Sequence, residues 1–332
     1  MSKVTVDAPA NIAFIKYWGA LDLDRALPRN RSLSMTLDSC TSRCTIEPLD
    51  GGPDEVWLSE SDGGFRAPSA EFVQKVRNHL DHLRQWAGSE QTFRVATRNN
   101  FPTAGGLASS ASGFAALTLA AVRALGKKAS NKELSSLARL SGSGSAARSV
   151  FGGYVEWPAG ETDEEAYAVQ IAPAEHWELR DIIAVVEIGP KVVSSREGHR
   201  RAPSSPYYEK RQELLPARLE VVRQAIKDRD LSVLGPILEQ EAIDLHLIAM
   251  SSEPPIFYWS PGTVDVLKTL RELRQEGLSA YATLDAGANV HVICDADSED
   301  DVAERLEDMA TVGFVIRDGV GEGPDFDATH LF

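Results

Sequence analysis

Cysteine is scarce in this chain of 332 residues, which contains only Cys40, Cys44 and Cys294. The three form no CxxC pair and no cluster with histidine at the spacing of metal ligands, which argues against a metal site of that kind. A reduced protein of the cytoplasm is therefore expected.

Long apolar runs and a surplus of basic residues are also missing. No stretch approaches the ~18 apolar residues of a membrane span, and the opening residues lack the apolar core of a signal peptide, so neither a membrane location nor export is expected. The net charge of −15 disfavours nucleic acid as a partner. A phosphate-bearing ligand would have to be held locally, by backbone amides and a few placed cations.

What is present is the composition of a folded globular protein, with 43% hydrophobic and 25% charged residues. The length fits two domains, or one large α/β unit. An acidic, loop-prone segment at 158–177 suggests a boundary near its end. We therefore expect domains at 1–178 and 179–332.

Hydrophobic periodicity predicts a mixed α and β chain. An amphipathic helix is expected between Pro68 and Gly88, and Ser130 with Glu133 forms a capping box for another helix. Other predicted strands are at 34–37, 44–46, 93–96, 182–188, 281–284, 290–294 and 314–317, and other predicted helices are at 209–228, 234–250, 263–276 and 299–310.

A polar, glycine-bearing loop runs directly into an alanine-rich helix that should end near Gly126. Glycines, hydroxyls and free amides at a helix start suit a phosphate, although the lysine of the GxxxxGK[ST] motif is absent. The alternative is a helix start whose small residues only allow close packing. The candidate phosphate-binding residues are Gly105, Gly106, Leu107, Ala108, Ser109 and Ser110.

Three charged residues stand out for their surroundings. Arg148 follows the small-residue run Ser141–Ser145, one turn into a predicted helix, and could hold a carboxylate or phosphate, or could be an ordinary surface arginine. Lys16 lies in an apolar and aromatic run, so its ammonium needs an anionic partner unless it reaches water. Asp285 ends an apolar strand, where it is either a turn former or a catalytic carboxylate.

Two further features have ordinary alternatives. His246 is better explained as a hydrogen-bonded structural histidine than as a catalytic base. The basic segment 191–201, with Arg196, Arg200 and Arg201, is expected to be a loop that closes over an anionic ligand or is simply solvated.

Taken together, these segments resemble the diphosphomevalonate decarboxylase family, which belongs to the superfamily of galactokinase, homoserine kinase and mevalonate kinase. The matching segments are APANIAFIKYWG at 8–19, LPRNRSLSMTL at 27–37, NNFPTAGGLASSASG at 99–113, SGSGSAARSVFGGYVEW at 141–157 and TLDAGANVHV at 283–292.

The resemblance implies an α+β fold of two domains, a ribosomal-protein-like N-terminal domain and a ferredoxin-like C-terminal domain, with the active site in the cleft between them. It implies ATP and Mg²⁺ as cofactors, a small-molecule substrate and a homodimer. The implied catalytic residues are Asp285, Arg148, Lys16 and Asn11, the implied substrate-binding residues are Tyr17, Ser143, Gly144, Ser145, Arg148 and Arg200, and Ser110 is the implied Mg²⁺ ligand.

The chain departs from the family pattern near the substrate. Ala20 stands where a lysine is usual, His199 replaces a methionine, Ala288 replaces a proline, and Arg29 and Arg31 add charge. The lost cation favours mevalonate 5-phosphate over the 5-diphosphate as the substrate of an ATP-dependent decarboxylase. The alternatives are a kinase of the same fold that phosphorylates a mevalonate hydroxyl, and a catalytically inactive sensor or scaffold.

Overall fold

A computed structural model describes residues 2–60, 62–102, 109–189, 191–326 and 329–332. The strands are β1 Val4–Ile15, β2 Ala20–Asp22, β3 Leu27–Pro28, β4 Ser32–Pro48, β5 Glu55–Ser59, β6 Phe65–Arg66, β7 Phe93–Asn99, β8 Tyr154–Trp157, β9 Val169–Ala172, β10 Leu179–Val185, β11 Ala280–Thr283, β12 Val290–Asp295 and β13 Phe314–Gly319. The helices are α1 Ala70–Ala87, α2 Ser109–Ala124, α3 Asn131–Arg139, α4 Ser195–Arg201, α5 Tyr208–Asp228, α6 Leu231–Met250, α7 Pro261–Gln275 and α8 Glu299–Glu307.

Most strands belong to two main sheets, one formed by the N-terminal part of the chain and the other by the C-terminal part. The first has seven strands in the order β6-β5-β7-β4-β8-β9, with β1 also paired to β4, and only the β5–β7 pair is parallel. The second is antiparallel, in the order β11-β12-β10-β13. The mixed α and β character is therefore confirmed, whereas the boundary at 178 stays a prediction.

The first sheet is covered by three helices. The alanine-rich helix α2 is buried along most of its length and packs against β1 and β4, as expected for a helix that is apolar on nearly all sides. α1 begins at the cap Ser69, and α3 has the predicted capping box of Ser130 and Glu133.

β1 joins the two halves of the molecule. Ile12 and Phe14 pack with Leu219 of α5 and Leu234 of α6 in one hydrophobic cluster. This packing fixes the end of β1 beside the second sheet, so Lys16, which follows β1, lies opposite the turn after β11. No helix in the described parts of the chain has both the length and the apolar character of a membrane span.

Four local predictions were wrong. The strands expected at 34–37 and 44–46 are one strand, β4, because the amides of Asp38, Ser39 and Cys40 all donate to the carboxylate of the distant Asp318. The helix expected to carry Arg148 is only a 3₁₀ turn over Gly144–Ala147. The expected loop at 191–201 contains helix α4, and the loop-prone segment 158–177 contains β9.

Candidate active site

An open cleft of about 1490 Å³ lies where the elements of the two sheets meet. Its walls include the end of β1, the start of α2, the loop Ser141–Ser145, the helix α4 and the turn after β11. Most of the residues that the sequence singled out line this one cleft: Lys16, Tyr17, Ser109, Ser110, Ser143, Gly144, Ser145, Arg148 and Asp285.

The ion pair between Lys16 and Asp285 is at the centre of this site. Lys16 Nζ donates to Asp285 Oδ1 at 2.9 Å, and the side chains are 1% and 27% exposed. Thr283, the last residue of β11, fixes the register by donating to the carbonyl of Ala13 at 3.2 Å. The prediction that Lys16 needs an anionic partner is therefore confirmed.

The pair sets the ionisation of both groups. Burial lowers the pKa of Lys16, although the carboxylate of Asp285 opposes this effect. Burial raises the pKa of Asp285, but attraction to Lys16 outweighs it, and the pKa falls below its usual value. Asp285 is consequently a carboxylate at neutral pH and leaves part of its side chain open to the cleft.

Arg148 is a buried cation whose hydrogen-bond acceptors are uncharged. Its Nε and Nη2 donate to Asn11 Oδ1 at 3.1 and 3.0 Å, and its Nη1 donates to Ser32 Oγ at 2.6 Å. Asn11 is held in turn by Ser149 Oγ at 2.8 Å and the carbonyl of Ser145 at 3.2 Å. The interpretation of Arg148 as a surface arginine is wrong, since its exposure is 3%.

This arrangement suits an anionic ligand. Burial lowers the pKa of Arg148 to about 10, so the guanidinium is charged at neutral pH. Within the described residues no carboxylate forms an ion pair with Arg148. A buried charge without a counterion is costly, and the cost falls when an anion binds beside it.

The two small-residue segments meet at the other wall of the cleft. Ser110, at the start of α2, lies with its Oγ 3.2 Å from Ser143 Oγ. Gly144 permits close packing, because a Cβ there would lie 2.6 Å from the ring of Tyr17 and 2.7 Å from that of Trp157. The candidates Gly105, Gly106, Leu107 and Ala108 lie outside the described residues.

Two cations of the basic segment 191–201 line the cleft, although neither was predicted to be a site residue. Lys191 Nζ donates to Ser195 Oγ at 2.7 Å and to the carbonyl of Ala286 at 2.6 Å, and burial lowers its pKa to about 8. Arg196 also lines the cleft, with hydrogen bonds to Leu23 O at 2.8 Å and Asp24 Oδ1 at 2.6 Å.

Arg200, the predicted substrate ligand, instead pairs with Glu197 and is 61% exposed. The charge density of 191–201 therefore indicated a segment that reaches the cleft, in which Arg196 lines the cleft and Arg200 does not. The pattern Ser194-x-x-Glu197 is a signal for helix α4 that could have been recognised, since Ser194 caps this helix through the amide of Glu197.

The two arginines that depart from the family pattern, Arg29 and Arg31, lie on the surface of the molecule. Arg31 is exposed and pairs with Glu156 at 3.3 Å, and Arg29 is exposed, so neither adds a buried cation.

His246 is buried against Tyr258 and Trp259, and burial lowers its pKa to about 3. This environment agrees with a neutral structural histidine.

Comparison with known proteins gives consistent matches along the chain. Residues 8–168 match the model of the diphosphomevalonate decarboxylase-like N-terminal domain, and residues 181–318 match the mevalonate 5-diphosphate decarboxylase C-terminal domain. The diphosphomevalonate decarboxylase of Ganoderma lucidum is 37% identical over 326 residues, which cover 92% of this chain and 81% of the relative.

Solved structures agree with the fold. The mevalonate diphosphate decarboxylase of Staphylococcus aureus superposes with a TM-score of 0.91 at 32% identity, covering 98% of each chain. A complex described as MDDEF with MVAPP, AMPPCP and magnesium gives a TM-score of 0.89 at 36% identity, covering 98% of this chain and 99% of the other. The predicted two-domain α+β fold is thereby confirmed.

Proposed function

Since the chain belongs to the diphosphomevalonate decarboxylase family, we propose that it is an ATP-dependent carboxy-lyase. Its substrate is a mevalonate that carries phosphate at C5. The products are isopentenyl phosphate or diphosphate, ADP, inorganic phosphate and CO₂, which places the reaction in isoprenoid biosynthesis. The observation that carries the proposal is one cleft with an ionised carboxylate, Asp285, and a buried guanidinium without a carboxylate partner, Arg148, in the described residues.

Asp285 orients the 3-hydroxyl of the substrate. Its lowered pKa makes it a weak base but a good hydrogen-bond acceptor. Phosphoryl transfer has a loose transition state, so orientation of the hydroxyl matters more than early removal of its proton. The hydroxyl oxygen bonds to the γ-phosphorus of ATP, the bond from that phosphorus to ADP breaks, and the proton passes to the Asp285 carboxylate.

Arg148 acts in the second stage. The C3–O bond breaks, the new phosphate leaves with the electron pair, and positive character develops at C3. The bond between the carboxyl carbon and C2 then breaks, and its electrons form the alkene as CO₂ departs. Arg148 holds the substrate carboxylate in line for this step, and Asn11 and Ser32 hold the guanidinium.

The residues at the start of α2 fit a nucleotide with Mg²⁺. Mg²⁺ prefers oxygen ligands and retains waters and substrate phosphates, so it does not need a cage of carboxylates. The described residues contain no cluster of three or more His, Cys, Asp or Glu side chains, whereas the hydroxyls of Ser110 and Ser143 converge at the cleft. Ser110 would be a Mg²⁺ ligand, and the ion would neutralise charge on the transferred phosphoryl group.

The number of phosphates on the substrate is the finer part of the proposal. The relatives are named as enzymes of the diphosphate. In this chain, however, Ala20 stands where the family pattern has a lysine, and Arg196, which lines the cleft, is already paired with Asp24. This reduced positive charge favours mevalonate 5-phosphate.

A side-by-side comparison of kcat/KM for mevalonate 5-phosphate and mevalonate 5-diphosphate, measured by ADP release, tests the choice. A higher value for the monophosphate is expected, and a value at least tenfold higher for the diphosphate would contradict it. The kinase alternative receives no support from the matched relatives of Ganoderma lucidum, Candida albicans and Saccharomyces cerevisiae, which are named diphosphomevalonate decarboxylases. A buried carboxylate clamp also has no use in such a kinase.

A further inference from the structure

His199 lies in the cleft where the resembled family has methionine. Its ring packs against Tyr17 and Trp18, with ring centroids 4.2 and 4.8 Å apart. Gly198 makes this possible, because a Cβ there would lie 2.3 Å from the indole of Trp18. The sequence Gly198-His199 thus lets helix α4 approach Trp18 closely and packs the imidazole against two aromatic rings.

The hydrogen bond on one side of the ring determines its tautomer. The amide of Gly19 donates to His199 Nδ1 at 3.0 Å, so Nδ1 is the acceptor and carries no proton. The proton of the neutral ring is therefore on Nε2. Within the described part of the chain, Nε2–H has no acceptor, although the ring borders the cleft.

The surroundings keep the ring neutral. Burial, followed by the charges of Lys191, Arg211 and Arg196, lowers the pKa of His199 to about 3, and the charge of Asp285 only partly opposes this. A second proton would also point Nδ1–H at the Gly19 amide, donor against donor.

The position of the ring indicates which part of the substrate it meets. Tyr17, against which His199 packs, also contacts the loop at Gly144, and Arg196 Nη1 lies 3.6 Å from the position of a Cβ on Gly142. The imidazole, Arg196 and the Ser141–Ser145 loop therefore converge. Arg148, the proposed carboxylate clamp, is instead fixed by Asn11 and Ser32.

We propose that His199 is a specificity-determining residue that donates its Nε2–H to the 5-phosphoryl group of the substrate. This inference rests on the proposed function for the identity of the ligand. Methionine has no N–H to donate, so the substitution replaces a passive contact with a directed, uncharged donor. An uncharged donor adds a phosphate contact without another cation in a site that lacks the lysine at position 20.

Direct binding without ATP tests His199 independently of turnover. Calorimetric or NMR titrations compare mevalonate 5-phosphate with unphosphorylated mevalonate on the wild type, H199M and H199Q. We expect H199M to weaken the affinity for mevalonate 5-phosphate about tenfold or more, which is the usual effect of losing a hydrogen bond to a charged group. Its affinity for unphosphorylated mevalonate should be unchanged. H199Q should recover part of the loss through its amide N–H, and the ¹⁵N-bound proton of His199 Nε2 should shift on binding.

His330→Gln is the matched control, because His330 is exposed and bonds to Thr5 of the first sheet at 2.7 Å. It should bind both ligands as the wild type does. The inference is overturned if H199M binds the phosphorylated ligand normally, if it weakens both ligands equally, or if the wild type does not prefer the phosphorylated one. CO₂ release by the wild type tests the decarboxylase proposal separately, so the two can fail independently.

Discussion

Replacement of Asp285 by Asn tests the ion pair at the centre of the site. The change keeps the shape of the side chain but removes its charge, which leaves the ammonium of Lys16 buried at 1% exposure without a counterion. Two effects are expected together: loss of turnover and loss of stability. Their joint appearance is what distinguishes a buried catalytic pair from a surface ion pair.

The magnitude follows from the geometry. At 2.9 Å between Lys16 Nζ and Asp285 Oδ1, the attraction is about 6 kcal/mol at an effective dielectric constant of about 20. Desolvation offsets much of this, so the intact pair adds little net stability, whereas a single replacement costs about 3 kcal/mol. The double variant Lys16→Met/Asp285→Asn should lose less than the sum of the two single variants, by about 1.5 kcal/mol or more.

Urea unfolding of the four proteins measures this coupling, and ADP release measures turnover. Asp285→Asn should reduce kcat by about a thousandfold or more, with the affinity for ATP nearly unchanged. Strictly additive losses of stability would refute the buried pair. Normal turnover by Asp285→Asn would refute the role given to the carboxylate.

Three further predictions concern the rest of the cleft. Arg148→Ala should lower kcat/KM for the phosphorylated mevalonate by an amount equivalent to about 2–5 kcal/mol, as measured by steady-state kinetics. Arg148→Lys should keep only part of the wild-type kcat/KM, because an ammonium lacks the two-pronged geometry of a guanidinium. Lys191 is charged below its pKa of about 8 and neutral above it, so kcat/KM should fall as the pH rises through about 8. Lys191→Arg should keep its activity to higher pH, and a pH profile unchanged by this replacement would contradict the prediction. Ser110→Ala should raise the Mg²⁺ concentration needed for half-maximal rate several-fold without changing the KM for mevalonate 5-phosphate, as Mg²⁺ titrations at saturating ATP would show.

Local patterns predicted the regular elements well, because the signals lie within one stretch of chain. Helix α1 ends before Gly88 as expected, and α3 starts at the predicted capping box. β4 was misread because its polar centre resembles a turn until Asp318, 278 residues from Cys40, accepts its amides. No local pattern contains that partner.

The prediction of the site succeeded and failed for the same reason, since local signals were correct and those that depend on distant packing were missed. The burial cost of a lone ammonium predicted that Lys16 needs an anion, and Asp285 supplies it. The choice among the arginines of 191–201 depends on how α4 is rotated against β1, which the sequence alone does not determine. Arg196 faces the cleft and Arg200 does not, so the predicted role of Arg200 has no geometric support. The cytoplasmic location and the homodimer stay predictions.

The ratio of CO₂ to ADP produced by the wild-type enzyme tests the central claim most directly. The assay supplies ATP, Mg²⁺ and mevalonate 5-phosphate or 5-diphosphate labelled at the carboxyl carbon, and it counts labelled gas against ADP. A carboxylate clamped by Arg148 beside Asp285 predicts one CO₂ for each ADP. ADP without labelled gas would mean that the protein is a kinase and would contradict the account.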